Sequence, residues 1–168
     1  MSEKNGGMKH VKYHVGRFSI SDNKASFSAV GVVEKLENRV VSTFWLYLDS
    51  LHKEGTISMA FNPVEIRAFA YALKAKFKDK DFEHSTQTGG TATVKNLNIF
   101  NSANGVYVGA THKNLNLSVG LSKFELLGLA SELEHLVQTT VDATYKTQQV
   151  LDRKKAKSVD KHLKKGEQ

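Results

Sequence analysis

The sequence predicts an α+β fold in which an antiparallel β-sheet of three to four strands, followed by one amphipathic helix, occurs twice with pseudo-twofold symmetry. The first observation is a capping box at the start of each helix, Asn62 with Glu65 and Ser122 with Glu125, sixty residues apart. The second is a short, alternating strand directly before each box. The third is a set of apolar residues at helical spacing after each box: Ile66, Phe69, Leu73 and Phe77 in the first helix, and Leu126, Leu129, Leu133 and Val137 in the second.

The strands are predicted from side chains that alternate between apolar and polar. They cover residues 10–20, 25–35, 39–49 and 56–61 in the first half, and residues near 91–101, 105–112 and 114–121 in the second. The second helix is expected to reach Tyr145 or beyond. Most phenylalanines fall on apolar faces, which assigns the following residues to the core: Phe27, Phe44, Phe61, Phe69, Phe77, Phe100 and Phe124.

Between the halves the chain becomes polar and glycine-rich over residues 83–90, where we expect a boundary. After residue 149 apolar residues become sparse, which predicts a frayed or disordered end. The expected organisation is a flexible N-terminus at 1–9, a single domain at 10–145 built from repeats 10–82 and 91–145, and a basic tail at 146–168.

The net charge of +7, from 24 basic and 17 acidic residues, is concentrated at the two ends of the chain. Residues 13–145 carry thirteen basic and thirteen acidic side chains, whereas residues 146–168 carry eight and three. The folded part is therefore expected to be neutral, with a tail that attracts phosphate groups. With no cysteine, no apolar leader and no run of about 18 apolar residues, the sequence predicts a cytoplasmic protein that makes no membrane contact.

Aromatic residues on the predicted strands are candidates for stacking on nucleobases. Tyr47 and Tyr107 occupy equivalent positions under the offset of sixty, and Trp45 and Thr43 lie beside the first. Stacking of a base on an exposed ring is worth roughly 1–3 kcal/mol, and nearby basic groups hold phosphates. The basic candidates are Arg39, Arg17, Lys12 and Lys95 on the strands, and Arg153, Lys154, Lys155 and Lys157 in the tail. Alternatively, these aromatics cover a second core layer or form a subunit interface.

The duplicated arrangement of strands and helix, with aromatics on the strands and a basic tail, resembles the Whirly, PC4 and mitochondrial RNA-binding-protein group of single-stranded nucleic-acid-binding folds. The resemblance covers residues 10–145 and is one of topology. It implies that the partner is single-stranded DNA or RNA, and folds of this kind often assemble into homo-oligomers.

The sequence contains no nucleophile elbow, no phosphate-cradling loop and no Cys–His pair, and its seven histidines lack zinc-ligand spacing. We therefore expect no enzyme, no cofactor, no metal site and no small-molecule substrate. The favoured hypothesis is a non-enzymatic protein that binds single-stranded nucleic acid, DNA more than RNA, through sheet-face aromatics and basic residues. The alternative is a protein-interaction or regulatory module, such as a replication or transcription accessory factor, whose aromatic sheet face is an oligomer interface.

Overall fold

The structure is a computed structural model that describes residues 11–36, 39–75, 80–88, 91–103 and 105–166, with side chains described at 11–36, 39–75, 94–103 and 105–157. The elements in chain order are β1 (Val11–Ser21), β2 (Ala25–Lys35), β3 (Val40–Ser50), β4 (Thr56–Phe61), α1 (Pro63–Lys74), β5 (Lys80–Thr88), β6 (Thr91–Ser102), β7 (Gly105–His112), β8 (Leu115–Leu121) and α2 (Lys123–Gly166). The duplicated α+β fold predicted from the sequence is confirmed. The predicted N-terminal segment, residues 1–9, lies outside the described residues.

The strands form two antiparallel four-stranded sheets, each a meander. Sheet A has the order β1-β2-β3-β4, and sheet B has the order β5-β6-β7-β8. Strand β5 lies where the polar boundary was expected, so the second half has four strands and not only the three that periodicity indicated. Its sequence contains one apolar residue, Phe82, and therefore shows no alternation. As an edge strand, β5 pairs through its backbone with β6 alone.

Both predicted capping boxes are present. The side-chain oxygen of Asn62 accepts hydrogen bonds from the backbone N–H groups of Val64 (2.8 Å) and Glu65 (3.0 Å), and the Glu65 carboxylate accepts one from the N–H of Asn62 (2.7 Å). At the second helix, Ser122 Oγ accepts from the N–H of Glu125 at 3.3 Å, and the Glu125 carboxylate accepts from the N–H of Ser122 at 2.7 Å. The hydroxyl and the N–H of Ser122 hold the pKa of Glu125 below its ordinary value.

The two helices pack against each other across the pseudo-twofold axis. Ala70 and Ala130, sixty residues apart, are both fully buried, which lets the helices approach closely. Lys74 forms an ion pair with Glu134, again sixty residues further along the chain. Contacts between equivalent positions are what a twofold axis through the helix pair produces, so the duplication visible in the sequence is also a spatial symmetry.

Helix α2 also packs on sheet A, the sheet of the other half. Gly31 on β2 makes room for it: a Cβ atom there would lie 2.1 Å from Thr140 Oγ1. Further along, the hydroxyls of Ser42 and Thr144 are 2.7 Å apart, and the backbone N–H of Val40 donates to Gln148 Oε1 at 2.8 Å. These contacts fix the direction in which the helix crosses the sheet.

The two sheets and both helices share one hydrophobic core. The predicted core phenylalanines Phe27, Phe44, Phe61 and Phe69 are buried, but the assignment of two others is wrong. Phe124 is 84% exposed on the first turn of α2, and Phe100 is half-buried on the face of sheet B opposite the core. Phe77 lies outside the described residues.

The end of the chain differs from the frayed or disordered tail that was expected. Helix α2 continues without a break to Gly166, a length of 44 residues or about 66 Å. Residues 152–157, past the last contacts with sheet A, are exposed. In the part of the chain that the structure describes, no helix is long and apolar enough to span a membrane.

Candidate nucleic-acid interface

The outer face of sheet A, defined as the face turned away from both helices, carries the first group of candidate residues. Alternate residues of β3, beginning with Phe44, are buried in the core, so Thr43, Trp45 and Tyr47 lie on the outer face. All three are partly exposed. The rings of Trp45 and Tyr47 stack with centroids 6.3 Å apart and an interplanar angle of 22°. The sequence-based placement of these three residues on one face is confirmed.

A β-bulge brings two basic residues onto this outer face. The register of β1 against β2 shifts between His14 and Gly16. Before the shift Lys12 is paired with Glu34, and after it Arg17 is paired with Val30, which in turn is paired with Trp45. Cross-strand partners share a face, so the extra residue restores the alternation that would otherwise point Lys12 and Arg17 to opposite sides.

The electrostatic surroundings of these basic groups differ. Lys12 Nζ lies 3.3 Å from the Glu34 carboxylate, so part of its charge is compensated. Arg17 is exposed and forms no ion pair with any residue whose side chain is described. Arg39 lies exposed just before β3 begins. Arg17 is therefore the cation best placed to contact a phosphate next to the Trp45 ring.

The predicted equivalence of Tyr47 and Tyr107 is wrong by two residues. Tyr107 is paired with Gly120, and the counterpart of Gly120 in the first repeat, Ala60, is paired with Trp45. Tyr107 is thus the structural counterpart of Trp45, while the counterpart of Tyr47 is Gly109. The gapless offset fails because the turn of the second repeat is two residues shorter: the pair Thr111–Asn116 is separated by 5 positions and its counterpart Asp49–Thr56 by 7. A shift of two residues preserves the face, so Tyr107 still lies on the outer face of sheet B.

On that outer face of sheet B, Tyr107 stacks on Phe100 with ring centroids 5.3 Å apart and an interplanar angle of 13°. Sequence reasoning missed Phe100 because it was assigned to the core. The alternation along β6 could have indicated its placement. Leu97 and Ile99 are buried in the core, so Phe100, the next residue along the strand, belongs to the opposite face.

Lys95 is not brought together with the candidate aromatics. It has the same parity on β6 as Leu97 and therefore points to the core side of sheet B, away from Tyr107. Its ammonium group donates a hydrogen bond to the backbone oxygen of Ser58, at 2.7 Å, on edge strand β4 of sheet A. Lys95 therefore connects the two sheets.

A second polar contact joins the sheets at Asp22, in the β1–β2 turn. Partial burial disfavours the ionised carboxylate, but hydrogen bonds from the backbone N–H groups of Gly120, Ala25 and Lys24, together with the Lys24 charge, outweigh it. The pKa of Asp22 is therefore below its ordinary value. The bond from Gly120, at 2.8 Å, uses a donor on the free edge of β8.

The basic residues predicted in the tail lie apart from both sheet faces. Arg153, Lys154, Lys155 and Lys157 are exposed on the part of α2 that continues past sheet A. They are ordered on a helix and so present charge at fixed positions. No group of three or more His, Cys, Asp or Glu side chains able to hold a metal ion occurs among the residues that the structure describes.

Comparisons with known proteins place this fold. No protein-family model matches the sequence, and no curated protein matches it significantly. Among solved structures, the chain is similar to the plant transcriptional regulator PBF-2, with a TM-score of 0.53 and 13% identity over 76% of this chain and 90% of that one. WHY1 from Arabidopsis thaliana aligns with a TM-score of 0.48 and 11% identity over 88% and 94% of the respective chains. The topological resemblance to the Whirly group that the sequence suggested is thus confirmed, as a likeness of fold.

Proposed function

We propose that the chain is a non-enzymatic protein that binds single-stranded nucleic acid, DNA in preference to RNA, and that acts in the cytoplasm as a homo-oligomer. The observation that carries this proposal is the outer face of sheet A, where a partly exposed Trp45–Tyr47 stack lies in line with the exposed Arg17. The fold shared with a transcriptional regulator supports a role that involves nucleic acid.

Each part of this face has a defined role in the proposal. Bases stack on Trp45 and Tyr47, which is favourable for any sequence because every base has a π-face. Arg17 and Lys12, two strands away, hold the phosphates that follow those bases along the strand. The cations on the end of α2 add long-range attraction that weakens with salt. The side chains of these strand residues are all described, so each role can be tested by substituting one residue.

The first test follows the fluorescence of Trp45, the only tryptophan, during titration with a mixed-sequence single-stranded oligonucleotide at low and high salt. We expect quenching that weakens as salt is raised. The same sequence as RNA should quench less at equal concentration. Unchanged fluorescence at low salt would rule out stacking on this ring.

The second test measures anisotropy of a labelled oligonucleotide with Trp45→Ala and Tyr47→Ala variants. Loss of one base stack, roughly 1–3 kcal/mol, corresponds to affinity weaker by about 5- to 150-fold. Tyr145→Ala is the matched control, because Tyr145 is 65% exposed on α2, and it should bind normally. Arg17→Ala should make the fall of log affinity with log salt less steep, by about one unit of slope.

A protein-interaction module remains the second candidate, favoured by the balance of thirteen basic and thirteen acidic residues between 13 and 145. In that case the aromatic face is covered by a second copy of the chain. Light scattering on Trp45→Ala separates the two readings. Dissociation of the assembly supports the interface, whereas an intact assembly with weaker oligonucleotide binding supports the stacking surface.

A further inference from the structure

The outer face of sheet B differs chemically from the outer face of sheet A. The described side chains of β6, β7 and β8 on this face are asparagines, hydroxyl residues, the exposed Val94 and the Phe100–Tyr107 stack, with glycines between them, and none of these is charged. Uncharged side chains do little to attract phosphates, but amides and hydroxyls form directional hydrogen bonds with polar ligand edges.

This face contains a cavity of about 320 Å³, lined in part by Asn98, Phe100, Gly109 and Thr111. Its volume is at the lower end of the roughly 300–1,000 Å³ typical of small-ligand pockets. Gly109 is required for this lining, because a Cβ atom at residue 109 would lie 2.7 Å from Asn98 Oδ1 and 2.8 Å from Phe100 Cε1. The glycine thus lets the Asn98 and Phe100 side chains lie close against β7.

The internal symmetry shows how the aromatic stacks of the two sheets differ. Gly109 is the counterpart of Tyr47, and Tyr107 is the counterpart of Trp45. In sheet A the Tyr47 ring stacks on Trp45. In sheet B the ring that stacks on Tyr107 is Phe100, from the neighbouring strand β6, and Phe100 also lines the cavity. A flat aromatic ligand packed on Phe100 would extend the Phe100–Tyr107 stack.

The cavity also contains a hydrogen-bonding group that is available to a ligand. Asn98 Oδ1 is buried and has no hydrogen-bond partner among the side chains and backbone groups that the structure describes, and the same is true of Asn96 Oδ1 two residues earlier. Buried amide oxygens without partners are rare and unfavourable. The last torsion of asparagine is broad and roughly two-fold, so rotation about it can turn either the oxygen or the amide nitrogen toward a ligand. A side-chain amide matches adenine, which offers a donor at N6 and an acceptor at N7.

We propose that the cavity at Asn98 and Gly109 is a base-reading subsite that takes an adenine ring, packed on Phe100 and hydrogen-bonded to the Asn98 amide. This inference rests on the proposed binding of single-stranded nucleic acid and adds selectivity to it. Sheet A supplies the sequence-independent contacts, and sheet B selects a base. Discrimination of roughly tenfold is expected for one such amide–base pair.

The test compares two labelled oligonucleotides that differ at one base. Both are thymidine strands of equal length, one with a central adenine and the other with hypoxanthine, which keeps the fused ring system and N7 but replaces the amino group by a carbonyl. Anisotropy with the full chain should show roughly tenfold tighter binding of the adenine strand. The variant Asn98→Leu should remove this preference, so that the two strands bind with equal affinity.

The matched control is Asn101→Leu, on the same strand but exposed and with the opposite parity, which should keep the preference. If Asn98→Leu does not fold, Asn98→Ser makes the same test, because Ser28 occupies the equivalent position in sheet A. Equal affinity of wild type for the two strands, or a preference that survives at Asn98→Leu, overturns the inference and leaves the proposed function in place.

Two further outcomes are distinguishable. A lower mass of Asn98→Leu by light scattering, with equal weakening for both strands, would make this face a subunit interface and overturn the inference. Absence of binding to either strand at low salt would overturn the proposed function, and the inference with it.

Discussion

Replacing Gly31 by alanine tests how α2 is seated on sheet A. The new methyl group would lie 2.1 Å from Thr140 Oγ1 and 3.2 Å from both Thr140 Cβ and Leu136 Cδ1. Leu136 can change its rotamer, but Thr140 is 0% exposed and its hydroxyl donates to the Leu136 carbonyl at 2.7 Å. To restore ordinary contact, which begins at 3.4 Å, the helix must withdraw by about 1.3 Å.

The expected cost follows from these contacts. Overpacking a core by one methyl group costs about 1–3 kcal/mol. Withdrawal of α2 also stretches the Ser42–Thr144 and Val40–Gln148 hydrogen bonds, at about 0.5–1.5 kcal/mol each. The lower entropy of the unfolded alanine chain offsets about 0.4–1 kcal/mol. We expect a net loss of about 3 kcal/mol in the free energy of unfolding, or about 6–12 °C in Tm for a chain of this size.

The assay is urea unfolding followed by helical circular dichroism and by Trp45 fluorescence, with Thr140→Ala and the double variant completing a mutant cycle. The double variant should recover part of the loss, since only the 2.1 Å contact is relieved and Thr140 Cβ stays at 3.2 Å. Gly128→Ala is the control. No heavy atom lies within 4 Å of its added Cβ, so it should stabilise the helix by about 1 kcal/mol.

Two results would refute this account of the packing. One is a Gly31→Ala variant within about 0.5 kcal/mol of wild type, the range of ordinary surface substitutions. The other is a mutant cycle without coupling between positions 31 and 140. Either would mean that α2 does not rest on sheet A through this contact.

Two other predictions concern polar groups. Asp22→Ala should lower the free energy of unfolding at pH 7 by about 1–2 kcal/mol, because hydrogen bonds to a charged group contribute roughly 1.5–3 kcal/mol and solvent screens this partly exposed carboxylate. Folding depresses the pKa of Asp22, so the contribution of this carboxylate to the free energy of unfolding is complete above its ordinary pKa of about 3.9. The contribution is lost as the pH falls through the pKa of Asp22 in the folded protein. Urea titrations should show the stability difference between variant and wild type shrink only in that acidic range. A difference that stays constant down to pH 2 would contradict the assignment. Asn62→Ala should lower the free energy of unfolding by about 1 kcal/mol and Ser122→Ala by less, because Asn62 accepts two short hydrogen bonds and Ser122 accepts one of 3.3 Å. Equal losses of stability in thermal melts of the two variants would count against this ranking.

The candidate site was only partly predictable from the sequence. The alternation of β3 was sufficient to place Trp45, Tyr47 and Thr43 on one face, because burial of every second residue fixes the direction of the others. The partner of Tyr107 and the role of Lys95 were not found. Both depend on which face of β6 packs against the core. The alternating apolar residues Leu97 and Ile99 indicated that face, because the side chains that share their face point to the core. The bulge in β1 had no signal of its own in the sequence.

The sequence by itself determined the local elements and their duplication. Capping boxes, alternating strands and helical apolar spacing act over a few residues, so Asn62, Ser122 and the buried stripes of both helices follow from neighbours along the chain. The tertiary structure decided how these elements meet. Contacts between residues far apart in sequence determine three features: the two-residue change of register at Tyr107, the packing of α2 against Gly31, and the cavity at Gly109. Such contacts are set by loop length, packing and the missing volume of a glycine side chain, which local patterns do not encode.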